Sequence, residues 1–419
     1  EPIVLENEAG EFERRPDLLD TTFRFPQGAT AGDFDGDGCP GLFVIQYGHW
    51  GIEHPLGQRN YSVAHANDNG YANALFTGDC EGFENATTDA GVSGSAWSLA
   101  TSAVDLNDDG RVDVHVTNDF NHDVVYLNRG DGTFERRVLG DRTNRNGMSS
   151  EVADVTGDGH PDLFVTNIYF PESVRSEIEV SLDLRAAGNN LLVNDGEGGF
   201  SERAAEWGVR KGGWAWAATL SDFDNDGDRD LMHATRMISK DKLTEFFSTE
   251  DDPSIDRFYR YPVLRERVGD RFHRLNAAAL GFNVSNGRGL AELDYDRDGD
   301  LDVLLADANG PLYLYENTHE GNSAVALQLR SADGASALGA TVTVTANGTT
   351  QRRIGNVKAD FLSQDSTVLH VGTGDAARAD LTITWADGDT TTLSDVATDQ
   401  RLVVTPDGTV TERPLARPG

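Results

Sequence analysis

The sequence predicts an all-β protein, a β-propeller followed by a smaller β domain, and three observations lead to this fold class. A loop rich in aspartate and glycine recurs five times along the first three quarters of the chain. Each copy lies between short apolar runs, as a turn lies between two strands. The 419 residues include 45 glycines, and 38% are hydrophobic, which is typical of a turn-rich globular chain.

The repeated loop has the same pattern in every copy. Its first, third and fifth residues carry side-chain oxygen, and its sixth residue is glycine. The copies begin at residues 33, 105, 154, 222 and 294, so they are 72, 49, 68 and 72 residues apart. The oxygen-bearing residues are Asp33, Asp35 and Asp37; Asp105, Asn107 and Asp109; Asp154, Thr156 and Asp158; Asp222, Asp224 and Asp226; and Asp294, Asp296 and Asp298.

This pattern is that of an EF-hand calcium loop without its helices. Glycine at the sixth position permits a turn with positive φ. The seventh residue would offer its backbone carbonyl, from Cys39, Arg111, His160, Asp228 and Asp300. A carboxylate at the ninth position would complete the shell, from Asp113, Asp162, Asp230 and Asp302. Several carboxylates this close repel one another unless a cation lies between them. We therefore expect four or five structural Ca²⁺ ions.

The five loops are not equivalent. The first has Gly41 at the ninth position, and the third has Thr156 at the third position. The alternative interpretation, an Asp/Gly-rich turn without metal, suits a single copy but not five copies at corresponding places.

Each repeat also contains a third apolar run and a glycine-rich hairpin that ends in phenylalanine, as at 126–134 and 192–200. Four strands per repeat is the pattern of a propeller blade. Five blades are countable, and the sequence leaves six or seven open. Residues 4–14 carry the same hairpin alone, which we expect to close the ring against the other end of the propeller.

These residues resemble the FG-GAP/VCBS repeat family of calcium-binding propellers. Residues 322–405 resemble the ASPIC/UnbV domain of the cartilage acidic protein family, through Gly339-Ala-Thr-Val342, 361–364, 369–372, 383–388 and 400–403. The departures are Gly41 and Val371-Gly-Thr-Gly374, where a Gly-Leu-Gly-like turn is expected. The resemblance implies a propeller over residues 1–319, an ASPIC/UnbV-like β domain over 320–419, secretion, and an adhesive role.

Charge restricts the partners. The 70 acidic and 35 basic residues give a net charge of -35, so a nucleic acid partner is not expected. Only four residues are lysine, and this composition resembles proteins of extreme halophiles; alternatively, the acidic residues mainly serve metal loops. No apolar run is long enough to predict a membrane span.

Two further features are compatible with secretion. Cys39 and Cys80 are the only cysteines, and the sequence leaves a disulfide and two free thiols equally open. Glycosylation sequons occur at Asn60, Asn85, Asn283 and Asn347.

A ligand surface is predicted on the face opposite the metal loops. Long inserts at 48–70, 169–189 and 237–257 and the loops between blades would lie there. The candidate ligand-binding residues are His49, Trp50, His54, Tyr61, His65, Trp97 and Trp214. For Trp97, Trp207 and Trp214 the alternative is packing between blades, and for the histidines it is solvation or ordinary packing.

Three functions remain open at this stage. The first is recognition of a glycan, a protein or a small molecule, or adhesion, with calcium in a structural role. The second is an enzyme of the lyase or cyclase type on the same face, although the sequence has no HExxH, GxSxG, P-loop or GxGxxG motif. The third is a structural surface or filament subunit.

Overall fold

The computed structural model describes residues 4–8, 11–15, 18–19, 22–48, 68–139, 146–170, 187–235, 261–284, 286–319, 321–332, 334–355 and 358–415. Across these ranges the chain forms β-strands joined by turns, and no helix. The prediction of an all-β fold is confirmed.

Each repeat forms one antiparallel sheet whose strands pair in chain order. The first four sheets are β3 (Pro26–Gly32) to β6, β7 (Trp97–Val104) to β10, β11 (Ser150–Ala153) to β14, and β15 (Ala215–Ser221) to β18; the fifth is β19 (Gly287–Leu293) to β21. The remaining strands are β4 (Gly41–Gln46), β5 (Ala74–Gly78), β6 (Phe83–Asn85), β8 (Asp113–Asp119), β9 (Val124–Asn128), β10 (Phe134–Val138), β12 (Asp162–Val165), β13 (Asn190–Asn194), β14 (Phe200–Glu202), β16 (Asp230–Thr235), β17 (Val263–Val268), β18 (Arg271–Arg274), β20 (Asp302–Asp307) and β21 (Leu312–Tyr315).

The five sheets are arranged as the blades of a propeller. The first strands of successive blades, β3, β7, β11, β15 and β19, lie next to one another in that order. Hydrophobic clusters fill the spaces between blades: Phe43 and Ile45 of the first pack with Val114 and Tyr126 of the second. This burial of apolar surface between neighbours is what holds the blades together.

The hairpin at the start of the chain does not close the ring in the described residues. Strand β1 (Leu5–Glu8) and strand β2 (Glu11–Arg14) pair only with each other. Leu5 and Phe12 are exposed. The expectation that this hairpin pairs with strands from the other end of the propeller was wrong for the described strands.

After the propeller come two four-stranded sheets, one of order β26-β22-β29-β30 and one of order β24-β23-β27-β28. Their strands are β22 (Ser323–Leu329), β23 (Thr341–Ala346), β24 (Thr349–Ile354), β26 (Leu369–Gly374), β27 (Arg378–Thr384), β28 (Thr390–Ala397), β29 (Gln400–Val404) and β30 (Val410–Pro414). Val325 and Leu402 of one sheet share a buried core with Val344 and Leu381 of the other. The predicted sandwich-like domain is confirmed.

A segment between the two sheets enters the centre of the propeller. Strand β25 (Lys358–Ala359) pairs with β7, the first strand of the second blade. The ring of Phe361 lies 4.6 Å from that of Trp216 on β15, and Asp365 Oδ1 accepts a hydrogen bond from the backbone N–H of Glu292 on β19. The residues that follow β25 therefore touch the first strands of several blades.

Candidate metal centre

The five loops join the first and second strands of the blades, so all lie at the same edge of the propeller. The glycine at the sixth position has positive φ in each, from 82° at Gly110 to 102° at Gly227. The fourth residue is also left-handed in every loop, including Asp108, Asn225 and Arg297. Glycine at the sixth position predicted the first of these conformations. The second was not predicted, although Gly, Asn or Asp occupies the fourth position in four loops, and these residues enter this region most readily.

Two sets of side-chain hydrogen bonds fix the loop. The first-position aspartate accepts from the N–H of the glycine at the sixth position, as Asp105 Oδ2 does from Gly110 at 2.9 Å. Equivalent bonds occur in the first, third and fourth loops. The fifth-position aspartate accepts from the N–H of the seventh residue, as Asp37 Oδ1 does from Cys39 at 2.8 Å, and this bond occurs in all five loops.

The ninth-position carboxylates are buried, and their hydrogen bonds connect each loop to the rest of its blade. Asp113 Oδ2 accepts from the N–H of Leu106 at 2.9 Å, and Oδ1 accepts from the N–H of Asn128 on the third strand at 2.7 Å. The equivalent residues Asp162, Asp230 and Asp302 accept backbone bonds at the same two places. Sequence analysis expected these residues only to complete a metal shell.

Burial raises the pKa of each ninth-position carboxyl. It reaches about 7 in Asp113, about 6 in Asp162, about 8 in Asp230 and about 6 in Asp302. In each case desolvation is the largest cause, and repulsion from the other loop carboxylates adds to it. A cation bound in the loop would lower these pKa values.

The donor atoms fit a hard cation. Carboxylate oxygens of Asp33, Asp35 and Asp37 lie within 4.8 Å of one another, and so do those of Asp222, Asp224 and Asp226 and those of Asp294, Asp296 and Asp302. Four loops also hold a buried side-chain oxygen without a hydrogen-bond partner at the first or third position. These atoms are Asn107 Oδ1, Thr156 Oγ1, Asp222 Oδ1 and Asp294 Oδ1. Buried oxygens are rarely left unsatisfied, so each marks a place where a ligand is expected.

In the first loop a disulfide takes the place of the hydrogen bonds made by the ninth-position carboxylate. A Cβ at Gly41 would lie 2.4 Å from the carbonyl oxygen of Phe76, so no side chain fits there. Instead, Cys39 at the seventh position forms a disulfide with Cys80 in the hairpin that follows the third strand. The sequence had left this disulfide open.

The other seventh-position side chains also make contacts near their loops. The Arg111 side chain pairs with Asp109 and donates from Nε to the carbonyl of Asn128. His160 Nδ1 lies 2.5 Å from Asp108 Oδ2. Two more contacts complete the set: Asp228 faces Arg267 at 3.3 Å, and Asp300 Oδ1 accepts from Asn225 Nδ2 at 2.7 Å. Because these side chains have other partners, the backbone carbonyl remains the predicted metal ligand at the seventh position.

Neighbouring blades are joined at the same edge by a repeated asparagine. The Nδ2 group of Asn128, at the end of the third strand of the second blade, donates to the carbonyl of Phe34 in the first loop at 2.9 Å. Asn194 and Asn317 make the same bond to Leu106 and Phe223 in the preceding loops. This role was not predicted, although an Asn lies at or just after the end of the third apolar run in these three repeats.

The sandwich lies against the loop edge of the propeller. Arg352 Nη1 lies 3.1 Å from Asp108 Oδ1 in the second loop and also donates to the carbonyl of Gly159 in the third. His370 Nε2 lies 2.6 Å from Asn225 Oδ1 in the fourth loop. The second, third and fourth loops therefore contact the sandwich.

At the opposite edge, much of the predicted ligand surface lies outside the described residues. This applies to His49, Trp50, His54, Tyr61 and His65. Trp97 and Trp214 are 7% and 8% exposed. Trp97 packs edge-on against Tyr47 at 4.8 Å, and Trp214 stacks with Trp216 at 6.4 Å. In the described residues these tryptophans form packing contacts, and their assignment to a ligand surface stays a prediction.

A buried carboxyl also lies at this edge. Asp119, at the end of β8, accepts a hydrogen bond from the Tyr47 hydroxyl at 2.6 Å. Burial raises the pKa of Asp119 to about 7.

In the described part of the chain there is no helix long and apolar enough to cross a membrane.

Comparison with known proteins supports the resemblance stated above. Residues 105–165 match the model of the FG-GAP-like repeat, and residues 330–411 match that of ASPIC and UnbV. The chain is 25% identical over 311 residues to cartilage acidic protein 1 of Homo sapiens, covering 72% of this chain and 42% of that protein. It is 23% identical to cartilage acidic protein 1 of Xenopus tropicalis, covering 86% of this chain and 61% of that protein. The chain thus spans about two fifths to three fifths of the length of these relatives.

Among solved structures, a rhamnogalacturonan lyase aligns at 12% identity and a TM-score of 0.35, covering 94% of this chain and 64% of that one. The biofilm matrix protein Bap1 of V. cholerae aligns at 10% identity and a TM-score of 0.32, covering 95% of this chain and 62% of that one.

Proposed function

We propose that this chain, which carries an FG-GAP-like repeat and an ASPIC and UnbV region, is a secreted calcium-binding propeller that recognises an extracellular ligand. In this proposal residues 1–319 form the propeller and residues 320–419 form the domain packed on its loop edge. Calcium holds the loops, and the ligand binds at the opposite edge.

The observation that carries the calcium proposal is the set of unsatisfied oxygens inside the loops. Asp222 is 2% exposed, yet its Oδ1 has no hydrogen-bond partner, while its Oδ2 accepts from the N–H of Gly227 at 3.0 Å. The buried Asp294 Oδ1 of the fifth loop is in the same situation. A cation bound in each loop would satisfy the oxygen there and offset the repulsion among the neighbouring carboxylates.

The donor chemistry favours calcium over other cations. Every proposed ligand is oxygen, from carboxylates, one amide, one hydroxyl and backbone carbonyls, and the cysteines are joined in a disulfide. Zinc and copper prefer nitrogen and sulfur, whereas magnesium demands a rigid octahedron of short bonds. Calcium takes six to eight oxygens in flexible geometry, which suits loops with different residues at the third and ninth positions. We propose four or five ions per chain.

The role proposed for calcium is structural. The second, third and fourth loops contact the sandwich, so an ion in these loops would support contacts within the chain itself. The ninth-position carboxylates also connect each loop to the third strand of its own blade. An ion that orders the loop would thereby order the blade, and the free energy of binding would add to that of folding.

The calcium proposal is tested by counting ions. The full chain is dialysed against calcium with an excess of magnesium, and bound metal is measured by elemental analysis. We expect four or five calcium ions and no stoichiometric magnesium. The variant Asp296→Ala should lose one calcium, whereas Asp387→Ala, an exposed aspartate in the sandwich, should lose none. Zero bound calcium, or equal loss in both variants, would refute the proposal.

The proposal of secretion rests on the disulfide and the relatives. Disulfides persist in oxidising compartments and are rare in reducing ones. The matched relatives are named for cartilage, an extracellular tissue. Asn85 and Asn347 are exposed, so both sequons are accessible if the chain meets the glycosylation machinery. Fractionation of the producing cells with an antibody to this chain tests the location: the chain should appear outside the cytosol, and a wholly cytosolic chain would contradict it.

For the ligand site, we propose His49, Trp50, His54, Tyr61 and His65, with Trp97, the first residue of β7, and Trp214, which directly precedes β15. The support is the strand order, because antiparallel pairing brings the connections between second and third strands to the edge opposite the five loops. A screen of immobilised glycans and extracellular proteins, with the chain saturated in calcium, would identify the ligand. Substituting His49, His54 and His65 with alanine should then weaken binding at least tenfold. His273→Ala, at an exposed position on β18, should not change it.

The same variants separate recognition from catalysis. If the ligand is chemically altered on incubation and the triple variant abolishes that turnover, the edge is an active site. If the ligand returns unchanged, the edge recognises it without reaction, as we propose.

A further inference from the structure

Asn225, the fourth residue of the fourth loop, connects three parts of the molecule. It is fully buried and has a φ of 58°. Its Nδ2 group donates to the carbonyl of Gly299 at 3.0 Å and to Asp300 Oδ1 at 2.7 Å, both in the fifth loop. Its Oδ1 lies 2.6 Å from His370 Nε2, and its carbonyl accepts from the N–H of Gly374 at 2.8 Å, both on β26. One residue thus bridges two metal loops and the sandwich.

The contact with β26 is too close to admit a side chain. A Cβ at Gly372 would lie 2.1 Å from Asp222 Oδ2 and 2.6 Å from the Cα of Asn225. Asp222 is the first-position residue of the fourth loop, so the backbone of the sandwich touches a proposed metal ligand directly. This close approach explains why residue 372 is glycine.

Other contacts seat the sandwich on the same loop. The Asn322 Nδ2 group donates to the carbonyl of Asp224 at 2.8 Å. A Cβ at Gly227 would lie 2.9 Å from Gln351 Nε2, whose own hydrogen bond goes to the carbonyl of Gly372 at 2.8 Å. Among the described contacts of the first loop, from Asp33 to Cys39, none reaches residues 322–414.

We propose that the fourth loop is a latch in which binding of its ion and seating of the sandwich on the propeller are thermodynamically coupled through Asn225. This inference rests on the proposed binding of calcium. The ion fixes the positions of Asp224 and Asp226, and Asn225 keeps its left-handed conformation between them. Loss of the ion leaves three carboxylates within 4.8 Å of one another without a cation, which drives the loop apart and moves the surface on which β26 rests.

Coupling of this kind acts in both directions. Whatever the ion contributes to seating the sandwich, the seated sandwich contributes to holding the ion. The first loop provides the contrast, because it has the same aspartate triad and no described contact with the sandwich. Calcium in the first loop should therefore stabilise its own blade without affecting the sandwich.

The first test removes one ligand from either loop. The variants Asp224→Ala and Asp35→Ala delete the same third-position carboxylate in the fourth and first loops of the full chain. Hydrogen exchange is measured at saturating calcium over peptides that cover 349–354 and 369–374. We expect faster exchange there in Asp224→Ala, by roughly 5- to 150-fold for a coupling of ordinary size, and no change in Asp35→Ala. Equal exchange in the two variants would overturn the latch.

The second test unseats the sandwich without touching a metal ligand. The variant His370→Ala removes the contact with Asn225 Oδ1, and Thr382→Val, at an exposed position on β27, is the control. Bound calcium is counted by elemental analysis as free calcium is lowered. We expect His370→Ala to release one ion at a calcium concentration roughly 5- to 150-fold higher than the control does.

The outcomes separate this inference from the proposed function. If the control and the wild type bind no calcium, the calcium proposal fails and the latch fails with it. If both bind four or five ions and His370→Ala releases them in the same calcium range, the calcium proposal stands and the latch is wrong.

Discussion

Cys39 and Cys80 are joined by a disulfide that connects the first Asp/Gly loop to the hairpin between the third and fourth strands of the same blade. In the other blades a buried carboxylate at the ninth position makes the equivalent connection, as Asp113 does to Asn128. The first blade has no room for that carboxylate, because the backbone of Phe76 approaches Gly41 too closely. A covalent bond and a buried hydrogen bond thus perform the same structural task.

Replacement of both cysteines by serine should lower the free energy of unfolding by about 2–4 kcal/mol. The disulfide closes a loop with a sequence separation of 41, and opening it restores freedom to the unfolded chain. Urea unfolding at saturating calcium measures the change. Wild type treated with reductant should match the double variant, and coincident curves for the oxidised wild type and the variant would contradict the assigned role.

Restoration of the missing ninth-position carboxylate by Gly41→Asp should destabilise the protein instead of improving its first loop. The new Cβ would lie 2.4 Å from the carbonyl oxygen of Phe76, and overpacking of this kind typically costs about 1–3 kcal/mol. Thermal unfolding of Gly41→Ala, which carries only the clash, should show most of the same loss. Gly82→Ala, where the nearest atom is 4.0 Å away, is the control for substitution of a glycine in this blade. A more stable Gly41→Asp would show that the backbone yields there.

Asp162 and Asp158 of the third loop should differ when calcium is absent. Asp162 accepts backbone N–H bonds from Val155, Thr156 and Asn194, and each buried donor left unpaired costs about 1–3 kcal/mol. In chelator, Asp162→Ala should therefore still be several kcal/mol less stable than wild type, whereas Asp158→Ala should be close to it. Urea unfolding with and without chelator measures both. Equal stability of the two variants in chelator would show that the ninth position acts only through the metal.

The buried carboxyl of Asp119 should make stability depend on pH at the edge away from the loops. Its pKa is about 7 in the folded chain, against an ordinary value of 3.8, so the folded state holds the proton more tightly between these values. The free energy of unfolding should fall as the pH rises from about 4 to 7. Asp119→Asn removes that loss, so its advantage over wild type should grow across this range to at most about 4 kcal/mol. An advantage independent of pH would show that Asp119 is ionised in the fold.

The repeat itself contained most of the fold and the proposed metal ligands. Oxygen at the first, third and fifth positions and glycine at the sixth predicted five loops in register, and the glycines have the expected positive φ. The left-handed fourth position was also readable in principle, since Asn225 and Asp108 belong to the few residue types that tolerate it.

Relations between distant parts of the chain could not be predicted in this way. No local pattern shows that Asn128 caps the preceding loop, that Gly372 lies against Asp222, or that residues after β25 enter the propeller. Each depends on packing between segments far apart in sequence. Trp97 and Trp214 illustrate the same limit, because the sequence alone does not distinguish an aromatic residue on a ligand surface from one packed between strands.

The most direct test of the central claim is a thermal melt of the full chain in high salt, with and without a calcium chelator, together with metal analysis of the untreated protein. High salt screens the net charge of -35, so the remaining effect of the chelator reports on bound ions. We predict four or five calcium ions per chain and a fall in melting temperature on the order of 10–20 °C. A chain without calcium whose melting temperature does not move would show that the five loops are bare turns.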